Sequence, residues 1–347
     1  MRAAVYRGKN DLRVEEVEKP VPGPGEALLR VDVCGICPTD VKKVHKGHLS
    51  GPRVFGHEIA GTVAVVGAGV SRFREGDRLV LHHHIPCGDC FYCRQKAYAQ
   101  CAFYHKNGTT AGFEPSGGGY AEYVKALDWI VERGAIAIPD GVLAEEAAFV
   151  EPVNTCLKAV KKADIQKGQT VLVVGQGPIG LLLTQLARWA GAEVLASDTM
   201  LDRLEMSRRC GATPLDARGD VAGEVRAMTG GRGADRTILA AVGPAAFQQA
   251  VDATRPAGQV MVFSATSPGE TAEVDLGLLC PAEKDILTSY SSSIDVQDLA
   301  AQLVFRREIR VRELVTHRLP LSEAPRAIEL ASKPAPGVLK VVLDMGA

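Results

Sequence analysis

Four of the nine cysteines in this 347-residue chain fall in one short run, PCGDCFYCRQKAYAQC, spaced Cys87-x2-Cys90-x2-Cys93-x7-Cys101. Thiolates at this spacing suit tetrahedral zinc, with Zn–S bonds of about 2.3 Å, because a short loop can wrap all four around one ion. A shell closed by four sulfurs leaves no position for water or substrate, so the site expected here is structural. An iron–sulfur cluster is the main rival, since three cysteines two residues apart also suit ferredoxin-type ligation. The late fourth cysteine, with no proline after it, counts against that. A zinc ribbon for nucleic acid is disfavoured by charge: 40 Lys and Arg balance 41 Asp and Glu, with no basic run.

A second stretch, VLVVGQGPIG, matches G-x-G-x-x-G at Gly175, Gly177 and Gly180. The bare pattern is weak in a chain with 36 glycines. Here it follows an apolar strand-like run and opens an amphipathic helix, the context that dinucleotide binding requires. Glycines there permit the tight turn, approach of the backbone to a pyrophosphate, and close helix–strand packing, with the helix N-terminus facing the phosphates. Asp198 ends the next strand, 23 residues after Gly175. A carboxylate at that place accepts hydrogen bonds from an adenosine ribose and repels a 2′-phosphate, so NAD is favoured over NADP. The bland alternatives are a packing-only turn and, for Asp198, a helix N-cap.

Smaller fragments carry further donors. CGICPTD sets Cys37 and Thr39 beside a turn, and FGHEIAG sets His57 next to Glu58. One cysteine, one histidine and a carboxylate can hold zinc while leaving a position open. Taken singly, neither fragment is distinctive. Cys34 forms C-x-x-C with Cys37, a redox-like spacing, but reads better as a small buried residue. His82, His83 and His84 end a strand-like run, where successive side chains face opposite sides, so at most alternate members would share a site.

The elements that must position these groups change character along the chain. The length suggests two domains, and 46% hydrophobic with 23% charged residues is an ordinary globular composition. Residues 1–150 read as short strands and dense turns, including EALLRVDVCGIC, GTVAVVGAGV and DRLVLHHH. From about 160 the pattern alternates. QTVLVV is a buried-strand run, and Ile179, Leu182, Leu183, Leu186, Ala187 and Ala190 then mark one helix face, stopped at Gly191. AEVLASD, LDRLEMSRRCGA, VAGEVRAM, DRTILAAVG, PAAFQQAVDAT, QVMVFSA and DILTSY continue as strands and helices, which implies βαβ units and a parallel sheet. The last strand-like run, GVLKVVLDMGA, is read as returning to the first domain. The opening MRAAVYRGKN lacks the apolar core of a secretion signal. The apolar region 170–198 is too broken to span a membrane. A soluble cytoplasmic protein is therefore the expectation.

In combination and in this order, these motifs resemble the zinc-dependent medium-chain alcohol dehydrogenases, closest to the polyol (sorbitol-like) and threonine dehydrogenase branch. The likeness runs through GHEIAGTVAVVGAGVSRFREGDRLV, the four-cysteine loop, EPVNTCLKAV and the dinucleotide turn. It implies an α/β fold in which a GroES-like β-rich catalytic domain, residues 1–152 and 296–347, is interrupted by a Rossmann doubly wound parallel-sheet NAD-binding domain, residues 153–295. It implies two zinc ions per chain. Cys37, His57, Glu58 and Glu151 would surround the catalytic one, and Cys87, Cys90, Cys93 and Cys101 the structural one. Cys156 lies off the EP motif and is left out. The NAD contacts implied are Gly175, Gly177, Pro178, Ile179, Gly180, Asp198 and Arg203.

The reaction implied is oxidation of a secondary alcohol or polyol, with zinc as Lewis acid and hydride passing to NAD. Thr39 would begin the proton relay, and Asp40 would orient the loop through a zinc ligand. Homodimers or homotetramers would form through the Rossmann edge, to which GQVMVFSATSPGE contributes. Two departures stand out. Lys42 occupies the place where relatives often carry a relay histidine, with His45 and His48 out of register. Pro38 replaces a more usual glycine and stiffens the turn. A zinc-free quinone reductase would lack both the cysteine loop and the GHE ligands. A zinc-braced NAD-binding regulatory protein without dehydrogenase turnover is the non-enzymatic alternative.

Overall fold

The computed structural model describes residues 1–347 except 48, 107, 114–116, 242, 265–268 and 347. The chain divides into two units, Met1–Asn154 with Ser292–Ala347, and Thr155–Ser291.

The first unit is built on an eight-stranded sheet and a three-stranded one. Its central strand, Ala27–Gly35, pairs antiparallel with Glu58–Val66 on one side and with the last strand, Lys340–Asp344, on the other. The GVLKVVLDMGA run thus returns to the first unit, in the sheet built on Ala27–Gly35. The register sets Gly35 opposite both Glu58 and Val342. Alternating apolar residues close a core that includes Tyr6, Leu29, Phe55, Ile59, Leu79, Leu81, Tyr120 and Ile130. The largely β reading omits the helices Pro38–Lys46, Asp128–Arg133 and the start of Val150–Lys162. One expectation fails here. The DRLVL strand ends at Leu81, so His82, His83 and His84 lie beyond it and do not alternate across a sheet. Without the strand's pleat, His83 and His84 come to 3.9 Å between ring centroids.

The second unit is a six-stranded sheet with every neighbouring pair parallel. Its order is Thr213–Asp216, Glu193–Asp198, Thr170–Val174, Ala234–Leu239, Thr254–Val262, Asp285–Thr288. This is the doubly wound order whose strand carboxyl ends, at the reversal, form a ligand crevice. The Thr170–Val174 strand is buried throughout, which explains its unbroken apolar sequence. The helix that follows, Pro178–Trp189, is buried more widely than one face, since every residue from Gly180 to Ala187 is buried. Of the GQVMVFSATSPGE segment, residues 265–268 lie outside the described residues, and its start belongs to the Thr254–Val262 strand. Among the described residues no helix is long and apolar enough to cross a membrane.

Candidate metal centres and dinucleotide turn

Cys37 is the N-cap of the Pro38–Lys46 helix, and its Sγ accepts from the Thr39 amide at 3.5 Å. Pro38 stands at the first helical position, where its fixed φ fits and its missing N–H is not needed. The turn is therefore stiffened in the conformation that starts the helix at Cys37. His57 precedes the Glu58–Val66 strand, and Glu58 opens it. One donor atom each from Cys37, His57 and Glu58 lies within 4.8 Å of the others, close enough to share one ion. The donor set of soft sulfur, imidazole and carboxylate fits zinc. Among the described residues Glu151 is not part of that trio. It is buried near it, on the Val150–Lys162 helix. Burial pushes its carboxyl up to about 7, Glu58 and Asp40 add to the rise, and His57 and Lys340 oppose it.

Behind the trio stands Asp40, fully buried. Its Oδ2 lies 3.1 Å from His57 Nδ1 and accepts from the Gly56 amide at 3.2 Å and the Tyr120 hydroxyl at 3.3 Å. Its Oδ1 accepts from Lys43 Nζ at 3.1 Å. Burial alone would raise the Asp40 carboxyl, but His57 and Lys43 outweigh it and hold it well below the usual carboxylate range. Asp40 thus contacts His57, the neighbour through which the sequence reading has it orient the loop. Lys43 and Tyr120 were not foreseen. Thr39 is exposed in the first helical turn, and Lys42 is exposed beyond it. His45 is engaged with Asn10 Oδ1 at 2.7 Å, and His48 lies outside the described residues.

Two further groups near the trio have no sequence motif. Lys340, from the last strand, forms a buried ion pair with Glu58 and donates to the Ile36 carbonyl at 3.0 Å. Burial would lower the Lys340 ammonium, but Glu58 and Cys37 more than offset it. His83 packs its ring 5.0 Å from that of His57. His83 touches His84, whose ring stacks on Tyr104 at 4.6 Å.

Tyr104 belongs to the four-cysteine lobe, where it packs with Cys93, Cys101 and Ala99. The sulfurs there stand 3.5 Å (Cys90–Cys93), 3.6 Å (Cys101–Cys87) and 3.8 Å (Cys87–Cys93) apart. All four lie within 4.8 Å of one another, and none is in a disulfide. Sulfurs unbonded yet this close suit a shared zinc. Cys34 is a buried free thiol in the Ala27–Gly35 strand, its Sγ 3.8 Å from the Gly35 carbonyl. Cys156, also buried, faces the Ile179 carbonyl at 3.9 Å.

In the second unit, Gly175 leaves the Thr170–Val174 strand at φ +89, a conformation glycine adopts without strain. Gly177 caps the next helix and Pro178 is its first residue. A Cβ at Gly180 would lie 1.8 Å from the Gly175 carbonyl oxygen, so that glycine is dictated by packing. Asp198 accepts from the Gln176 amide at 2.6 Å and the Met200 amide at 2.9 Å. It ties the turn to the next loop rather than capping the Leu201–Arg209 helix, whose N-cap is Met200. Arg203 Nη1 stands 3.9 Å from Asp198 Oδ2, and Ile179 is half-buried in the helix's first turn.

A parallel doubly wound sheet with a glycine turn, in one chain with a β unit that carries two clusters of metal-ligand type, points to the class of dinucleotide-dependent metalloenzymes. Comparison with known proteins agrees. Residues 23–140 match the family described as the alcohol dehydrogenase GroES-like domain, and residues 178–306 match zinc-binding dehydrogenase. The chain is similar to sorbitol dehydrogenase of Bacillus subtilis, at 28% identity over 99% of this chain and 97% of that protein. It is similar to erythritol/L-threitol dehydrogenase of Mycolicibacterium smegmatis, at 30% identity over 96% and 94%. A zinc-binding dehydrogenase from Sinorhizobium meliloti 1021 bound to NADP superposes with a TM-score of 0.88, at 31% identity over 99% and 98%. The chain belongs to the zinc-binding alcohol dehydrogenase family.

Proposed function

We propose that this enzyme oxidises a secondary alcohol or polyol, passing hydride to NAD, at the centre formed by Cys37, His57 and Glu58 with Glu151 beside it. The observation that carries the reading is the donor trio within 4.8 Å, with Asp40 Oδ2 at 3.1 Å from His57 Nδ1. That contact makes Nδ1 the protonated nitrogen and leaves the Nε2 lone pair for a metal. Zinc, when bound, supplies a Lewis acid that eases loss of the substrate's hydroxyl proton. Thr39, exposed two residues beyond Cys37, would relay that proton, its hydroxyl accepting it while passing its own to solvent, since His45 is held by Asn10. The four cysteines 87, 90, 93 and 101 would hold a second, structural zinc, which would brace the lobe carrying Tyr104.

The Gly175–Gly180 turn with Pro178 and Ile179 would hold the cofactor's pyrophosphate, and Asp198 with Arg203 its ribose. Each Asp198 oxygen spends one lone pair on a backbone amide and keeps another for a ribose hydroxyl. Its charge disfavours a 2′-phosphate, while Arg203 at 3.9 Å offsets part of that repulsion. NAD is thus preferred, without absolute exclusion of NADP. The wider reading is a cytoplasmic homodimer or homotetramer. The test is a screen of polyols, secondary alcohols, threonine and amino-sugar alcohols with NAD and NADP, following absorbance of the reduced cofactor, with zinc analysis of the same sample. The expected result is alcohol-dependent NADH formation and two zinc ions per chain. Cofactor binding with no turnover on any of these would favour the regulatory alternative, and a single zinc would remove one site.

A further inference from the structure

Tyr104, 1% exposed, joins several parts of the first unit. It packs with Cys93, Cys101 and Ala99 in the four-cysteine lobe. Its ring stacks on that of His84, with centroids 4.6 Å apart and planes 21° from parallel. Its hydroxyl donates to the Ser292 carbonyl at 2.7 Å and lies 3.2 Å from the Ser292 hydroxyl. The next residue is tied down in turn. Ser293 donates its amide to Asn154 Oδ1 at 2.8 Å, and its carbonyl accepts from Asn154 Nδ2 at 2.9 Å. A ring held by its hydroxyl and by the packing of the lobe cannot slide, so it offers His84 a fixed platform.

From that platform the rings run on to the donor trio. His84 lies 3.9 Å from His83, and His83 5.0 Å from His57, centroid to centroid. His83 is 2% exposed, and its Nδ1 has no hydrogen-bond partner among the described residues. Packing against neighbouring rings therefore places its imidazole. A close-packed interior has no free space to absorb a shift of one member, so the position of one ring constrains the next. His57 is held at Nδ1 by Asp40 Oδ2, 3.1 Å away. One hydrogen bond at its edge leaves an imidazole able to swing about that line. A second ring packed beside it removes the swing and fixes where Nε2 points. We propose that Tyr104 is a positioning residue for the Cys37, His57 and Glu58 centre. Through His84 and His83 it sets the plane of His57, and so couples the four-cysteine lobe to that centre. This rests on the reading of Cys37, His57 and Glu58 as a metal centre.

The physical consequence has a sign for each variant. Tyr104→Leu leaves apolar bulk in the lobe but removes the platform, so His57 gains freedom and the metal is held less firmly. Tyr104→Phe keeps the ring and its packing, and loses only the hydroxyl. A tyrosine that merely stabilised the lobe would lower the unfolding midpoint without moving metal exchange at Cys37.

The experiment uses full-length protein loaded with Co(II) in place of zinc, with Cys37→Ser as reference for the four-cysteine site. The visible ligand-field bands of the Cys37 site are the difference from that reference, and their loss to a chelator gives its release rate. In Tyr104→Leu that release is expected to quicken about fivefold, less than for a direct outer-sphere partner, while the four-cysteine bands persist. His84→Leu is expected to do the same. The double variant should release no faster than either single one, since both break one path. Tyr104→Phe should stay within about twofold of wild type. Unchanged release in Tyr104→Leu, with only a lower urea midpoint, would overturn the proposal. So would single effects that multiply in the double variant, or release in Tyr104→Phe as fast as in Tyr104→Leu. Should Tyr104→Leu not fold, or lose its four-cysteine cobalt, unchanged release in His84→Leu overturns it. If Cys37→Ser holds as much cobalt as wild type, the reading of the metal centre itself is wrong, which is a different failure.

Discussion

Two glycines of the same turn answer to different constraints, and substituting each with alanine separates them. At Gly180 the added Cβ would lie 1.8 Å from the carbonyl oxygen and 2.8 Å from the carbonyl carbon of Gly175. Both are backbone atoms that cannot rotate aside, so the Pro178–Trp189 helix must shift off the strand end. Alanine improves helix propensity by about 1 kcal/mol, while overpacking against backbone falls at the upper end of its usual range, about 2–3 kcal/mol. The net expectation for Gly180→Ala is a loss of about 1–2 kcal/mol, seen in urea unfolding of cofactor-free protein by circular dichroism. At Gly177 the nearest atom to an added Cβ is Arg203 Nη1 at 3.7 Å, an ordinary contact. The backbone there, φ −67 and ψ −176, suits alanine. Gly177→Ala should therefore change stability by less than about 0.5 kcal/mol. Its methyl instead occupies space where a pyrophosphate would approach, so NADH binding, titrated by fluorescence, should weaken about tenfold, or about 1.4 kcal/mol. A Gly180→Ala protein as stable as wild type, or a Gly177→Ala protein binding NADH as wild type does, would refute this reasoning.

Further expectations follow from the two candidate metal centres, Asp198 and the buried His82. Cys37→Ser should abolish turnover while NADH binding stays within about twofold, whereas Cys90→Ser should lower the unfolding midpoint or prevent assembly. If both gave the same stable, inactive protein, the division of labour between the centres would be wrong. Asp198→Asn should shift the ratio of kcat/KM for NAD over NADP toward NADP by about tenfold, and an unchanged ratio would remove Asp198 from cofactor choice. Burial holds His82 down at about 4, against about 6.5 in the unfolded chain. Between those values the unfolded chain binds a proton that the native chain does not, so stability is intact at neutral pH and falls on acidification. By pH 5 the loss from His82 is about 2 kcal/mol. His82→Gln should flatten that part of the urea midpoint against pH, and an identical slope would show that His82 is not its source.

Repeating local rules make much of this protein legible in its residue order. Apolar runs and 3.6-residue spacing mark the parallel sheet and its helices because each such element must bury its own stripe. The four cysteines and the glycine turn are readable because their donors and close approaches lie within one loop. Convergence of distant segments is not readable. Nothing local to Lys340 shows that the last strand pairs with Ala27–Gly35 and sets its ammonium against Glu58. The histidine run illustrates the same limit, since the expectation of alternating faces failed when the strand ended at Leu81. Asp40 is legible as a neighbour of the cysteine turn, but its partners Gly56 and Tyr120 come from segments distant in the chain. Sequence alone thus determined which donors exist and which elements carry them, because those depend on near neighbours. Only the tertiary structure decided which charges share a buried space, because there the low dielectric makes pairing compulsory and strand register chooses the pairs.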